Sequence, residues 1–283
     1  MHYYELMTIS TRNKFFAAGI VFSVLTLALI SLGGYYAFPA FNQAVQNASF
    51  RAAALINSLV SGFFGVSPIV PFISIVSSAA YSLLGIILIF YYFEKTQSNE
   101  IIFFAFFVIS HSFEFTRVLV PLREIHYLPS IYMIYSARLL LFGRFIGLFS
   151  LFASAIYAAG LDIQKQRTSF FMIIMSSLII SMNIPINSLI WDTTFKLMYA
   201  YTEMLGIAEI GIIIITVITF FVSAYKRGSK TYNYIAIGAL LVFFGRNTLF
   251  ASDNWFTLVP GFISLAAGTW IICIRLHREY LWL

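Results

Sequence analysis

Eight side chains with the capacity for chemistry fall inside stretches that are otherwise apolar: His111, Glu114, Arg117, Arg138, Arg144, Glu209, Arg246 and Asn247. A guanidinium offers a planar fork of donors that matches a carboxylate or a phosphate, and in apolar surroundings it demands an anionic partner. His111 and Glu114 are the pair that could move a proton. The positions 111, 114 and 117 follow an i, i+3, i+6 spacing, which predicts a slanted stripe along one face of an α-helix. Four arginines face two glutamates, so pairing within the chain leaves up to two positive charges for a small anion or a lipid head group.

Two readings of these charges follow. In one, Glu114 and Glu209 pair with the arginines and glue helices together. In the other, the excess positive charge lines an outward-facing ligand pocket, to which Asn183 and Asn187 add amide groups and Pro185 a freed carbonyl. Arg117 and Arg138 lie near enough to helix ends to snorkel to head groups, leaving Arg144 and Arg246 as the sharper pair. These two sit in the echoing triplets Phe142-Gly143-Arg144 and Phe244-Gly245-Arg246, at similar depth on helices of opposite direction.

Other chemistries lack their residues. No lysine lies inside a late apolar stretch to hold retinal, and a second membrane histidine for bis-histidine haem is missing. The chain contains no GxxxxGK[ST], HExxH or CxxC. Cys273, the one cysteine, has no partner and reads as a packing residue. No cofactor is expected. An enzyme would have to work with His111 and Glu114 alone.

The elements that must position these side chains are membrane helices. Of 283 residues 60% are hydrophobic and only 10% charged, against roughly 25% charged in soluble domains. Apolar runs long enough to cross ~30 Å of hydrocarbon are read at Phe15–Phe38, Val70–Phe93, Ile101–Pro121, Ala137–Ala159, Phe170–Ile190, Met204–Tyr225, Tyr232–Phe250 and Phe256–Ile274. The expected fold is an all-α bundle of about eight membrane helices. Gly143 and Gly147 form a GxxxG pattern that predicts close packing of the fourth.

The basic residues Arg12, Lys14, Lys95, Lys165, Arg167, Lys226, Arg227, Lys230, Arg275 and Arg278 all fall on one side under this count. They place both termini in the cytoplasm and explain the pI near 9.4 without a nucleic-acid partner. The expected organisation is a tail and anchor helix over residues 1–38, an external loop with an interfacial helix over 39–69, and a seven-helix bundle over 70–283. The best-supported function is a receptor-like or sensory binding module in a cell membrane of the bacterial inner-membrane type. It would bind a small anionic or lipid ligand, contact membrane lipids and act through a partner membrane or cytoplasmic protein. A non-catalytic subunit of a larger complex and a transporter of a small anion or lipid are the alternatives.

Overall fold

The computed structural model describes residues 9–47, 63–65, 67, 69–96, 98–127, 129–161, 166–186 and 190–281, without the side chains of 37–47, 124, 125 and 281. Helix α1 spans Ile9–Asn47, α2 Ile69–Phe93, α3 Asn99–Ser110, α4 Leu119–His126, α5 Ser130–Ala158, α6 Gln166–Asn183, α7 Thr202–Arg227, α8 Thr231–Phe250 and α9 Trp255–Leu281. Between α3 and α4 the chain continues without a break as a 3-10 helix, His111–Val118. Extended structure among the described residues is limited to one isolated bridge between Trp191 and Leu197.

Seven of these segments are long and apolar enough to cross a membrane, the α3 to α4 run counting as one. A 25-residue helix such as α2 rises about 38 Å, more than the hydrocarbon thickness. The fifth expected span is shorter than its apolar run: α6 has 18 residues and ends at Asn183 rather than Ile190. Ile184 precedes Pro185, whose ring disfavours helical backbone in the residue before it. In the other direction α1 runs past the expected Phe38 to Asn47; it carries Pro39 inside it at the cost of one backbone hydrogen bond, and continues through good helix formers such as Ala44 and Gln46. Most of the expected interfacial helix between Phe50 and Gly65 lies outside the described residues.

Side-chain ties sort the helix ends into two groups. At one end, Arg12 at the start of α1 donates to the carbonyls of Glu94 (2.7 Å) and Thr96 beyond α2. Glu100, in the first turn of α3, accepts from Arg227 at the end of α7, Tyr232 at the start of α8 and Tyr280 near the end of α9. This is the basic end of the bundle. At the far end the Ser67 amide donates to the Asp253 carbonyl at 2.9 Å, and Thr193 donates to the Asp253 carboxylate.

Helix α5 is central, as its glycines predict. A Cβ at Gly143 would collide with the Phe113 side chain, and one at Gly147 would collide with the Ser110 hydroxyl. A second close approach joins α8 and α9. There a Cβ at Gly245 would stand 2.5 Å from the Leu265 backbone nitrogen, and one at Gly268 would stand 2.7 Å from the Gly238 carbonyl. Dispersion across such backbone contacts replaces the hydrophobic drive that lipid cannot supply.

Candidate charge-cluster site

The 3-10 helix changes the geometry of the stripe that the spacing predicts. With three residues per turn, i, i+3 and i+6 eclipse one another instead of slanting. His111, Glu114 and Arg117 therefore stand in one column. The eight residues rise about 16 Å where an α-helix would rise about 12 Å. Side chains reinforce the tighter coil: Ser110 and His111 both bond the Phe107 carbonyl, and Thr116 bonds that of Phe113.

The column divides its chemistry. Arg117 Nη1 meets Glu114 Oε2 at 2.7 Å, and Arg117 Nε donates to the Thr194 carbonyl at 3.0 Å. Arg117 is 0% exposed. The expected snorkelling is thereby corrected: the far-end loop, residues 190–201, folds over Arg117 and supplies the acceptor that a head group would otherwise offer. His111 turns the other way. Its Nδ1 takes the Phe107 carbonyl at 3.0 Å, and its Nε2 is buried with no hydrogen-bond partner among the described residues. The imidazole packs edge-on against Tyr81 and Phe107.

Helices α5, α7 and α8 bring the next three charges together. Arg144 Nη2 pairs with Glu209 at 2.8 Å, while its Nη1 donates to the Tyr199 hydroxyl at 3.0 Å. Arg246 Nη2 donates to the Arg144 carbonyl at 2.6 Å. Its guanidinium lies 5.8 Å from the Phe107 ring centroid, on the ring that also carries His111. Arg246 has no carboxylate partner among the described residues. Gly147 makes this possible, since a Cβ there would stand 3.1 Å from Arg246 Nη1.

Two of the expected residues stand apart. Arg138 is half-buried and reaches the Met182 sulfur at 3.3 Å, near the end of α6. Asn247 is half-buried beside Arg246, and among the described residues no hydrogen bond links its amide to the cluster. The amide of Asn183 folds back onto the Ile179 carbonyl of its own helix, and Asn187 lies outside the described residues. The Pro185 carbonyl is satisfied by the Ala200 amide at 3.0 Å.

The loop contributes residues that the apolar runs did not flag. Asp192 Oδ1 accepts from the amides of Thr194 and Lys196 and from the Thr194 hydroxyl, closing a tight turn. That turn directs Lys196 inward, where Nζ lies 4.2 Å from the Phe250 ring centroid and 3.5 Å from Asp192. Arg144 and Arg117 approach the same ring at 4.4 and 5.4 Å. Three cations thus stand around one aromatic ring, whose quadrupole attracts each of them. Burial pushes the Lys196 amine down to about 8, against the opposing pull of Asp192. Burial alone would raise Asp192, but the Lys196 charge and the turn's hydrogen bonds hold it below the usual carboxylate range. Burial holds the Tyr199 hydroxyl above its ordinary value despite the nearby Arg144. The spacing Asp192-x-x-x-Lys196 is the one sequence signal for this part of the site.

The site is thus a roofed network in which Glu114, Glu209 and Asp192 each hold one cation while Arg246 holds a carbonyl. Such a network can fix helices, or it can exchange an internal carboxylate for that of a ligand. The fold defines a multi-pass α-helical membrane protein. No protein-family model matches the chain, and no curated protein does.

Proposed function

We propose that this protein is a membrane-embedded binding module of the receptor or sensory kind, taking a small anionic ligand in the charge cluster beneath loop 190–201. The observation that carries this reading is Arg246, 7% exposed and without a carboxylate partner among the described residues. A buried cation is costly unless an anion meets it. The unpartnered His111 Nε2 on the same aromatic ring adds an acceptor for a ligand hydroxyl or amine. Counting the 18-residue α6 as a crossing beside the seven longer spans, both termini lie in the cytoplasm and the cluster faces outward, the orientation that the basic residues favour. We place the protein in a membrane of the bacterial inner-membrane type, with its output passing to a partner membrane or cytoplasmic protein.

A second reading is favoured by the three ion pairs. Arg117, Arg144 and Lys196 are each already claimed by a carboxylate, which suits a non-catalytic subunit of a larger membrane complex. Native mass spectrometry of gently solubilised protein separates the two. A small-molecule adduct that is retained by wild type, kept by Arg246→Lys and lost in Arg246→Gln establishes the binding module. A partner chain without any adduct, unchanged in Arg246→Gln, establishes the subunit.

A further inference from the structure

At the basic end, far from the charge cluster, a groove of about 330 Å³ opens between α7 and α8, lined by Phe221, Ala224, Tyr225, Gly228, Ser229, Lys230 and Asn233. Its two walls differ in chemistry. The wall along α7 is apolar: Phe221 is 46% exposed and Tyr225 90% exposed, on a helix apolar enough to lie among acyl chains. The opposite wall is polar. Gly228 ends α7 in the left-handed conformation at φ 62°, and the chain turns through Ser229 and Lys230 directly into α8.

The charges around this turn are unequal in their freedom. Arg227 is engaged with Glu100 at 3.3 Å and with the Tyr232 hydroxyl at 2.6 Å. Ser229 donates to Glu279, which brings one carboxylate to the back of the turn. Lys226 and Lys230 are exposed and have no ion pair among the described residues. The mouth of the groove is therefore cationic at the level where α7 leaves the hydrocarbon.

We propose that this groove holds the phosphate headgroup of an anionic membrane phospholipid, with Lys230 and Asn233 on the head and Phe221 and Tyr225 along the upper acyl chain. A free phosphate would leave the apolar wall unused. A basic pocket between membrane helices at a headgroup level is suited to such lipids. The volume accommodates a glycerophosphate and lies at the lower bound of small-molecule sites.

The test is native mass spectrometry of the full chain in detergent supplied with equimolar phosphatidylglycerol and phosphatidylcholine. Wild type is expected to retain phosphatidylglycerol preferentially. Lys230→Gln is expected to reduce that preference about fivefold, the contribution of one lysine near an anionic surface. Arg278→Gln, an exposed cation at the same end but outside the groove, should leave it unchanged. Equal losses in the two variants would reveal only general surface attraction and overturn the assignment, as would absence of a preference in wild type. Displacement of the lipid by millimolar inorganic phosphate would make the groove a free-anion site and overturn it too. Both residues are exposed, so neither substitution threatens the fold. The result is independent of any ligand in the charge cluster at the other end.

Discussion

Glu209 and Arg144 show how a residue's value depends on what its removal leaves behind. The pair is buried, at 6% and 17% side-chain exposure, and removing one partner strands the other charge. Glu209→Gln is therefore expected to cost about 3–5 kcal/mol, whereas the double variant Glu209→Gln with Arg144→Met should recover most of that loss. Denaturant titration of all three proteins checks it. Additive losses would mean that the two groups do not depend on each other. Lys196 gives a second expectation, with a sign fixed by linkage. Its amine is held near 8 in the fold, below the ordinary value of about 10.4. Between those values the unfolded chain binds more protons, so this group's contribution to stability rises with pH. Below about 8 it is charged in both states and its burial cost is fully present. Wild type should gain on Lys196→Met in thermal melts as the pH is raised from 8 to 10. A constant gap would show that Lys196 is not buried as described. The importance of Arg144, Arg246 and Glu209 is legible in the sequence because each is a charge in an apolar run. Lys196 is not, because a lysine in a loop looks solvated until Asp192 folds the turn.

Among the elements, the long spans follow from apolar length alone. Their interruptions follow from side chains bonding to nearby backbone. The 3-10 stretch lies within an apolar run read as Ile101–Pro121, and its hydrophobic spacing gives no warning of it. What sets it apart is five polar residues in His111–Val118, two of which, His111 and Thr116, bond carbonyls one turn back. The α8 to α9 contact was equally hidden, because Gly238 and Gly245 on one helix and Gly261 and Gly268 on the other lack the four-residue spacing of GxxxG. At Gly245 backbone meets backbone, with no flexible side chain to yield. Gly245→Ala should thus destabilise by about 1–3 kcal/mol, the ordinary cost of overpacking. Gly206→Ala, on α7 where nothing lies within 4 Å of the added Cβ, should be neutral or stabilising by up to about 1 kcal/mol. Thermal melts in one detergent compare them. Equal effects would show that α8 and α9 do not approach as closely as described.

For the whole molecule, the two ends differ in kind as well as in charge. The basic end is tied by Arg12 to the end of α2 and by Glu100 to α7, α8 and α9. The far end is roofed by loop 190–201, whose contacts reach α8 through Phe250 and the turn before α9 through Asp253. Membrane orientation decides whether that roof meets the outside, and hence whether a ligand from outside can reach Arg246. The basic residues predict that it does. Cys273 is fully buried, so a Cys273→Ser background accepts a single new thiol at either end. Thr193→Cys, exposed on the roof, should react with a membrane-impermeant maleimide added to intact cells. Ser229→Cys, in the turn between α7 and α8, should react only after lysis. The reverse pattern would invert the protein and turn the charge cluster toward the cytoplasm. Labelling of both positions from outside would mean that α7 does not cross. Thr193 and Ser229 are separated by α7 alone, so this outcome would also remove the eight-helix arrangement on which the outward-facing reading rests.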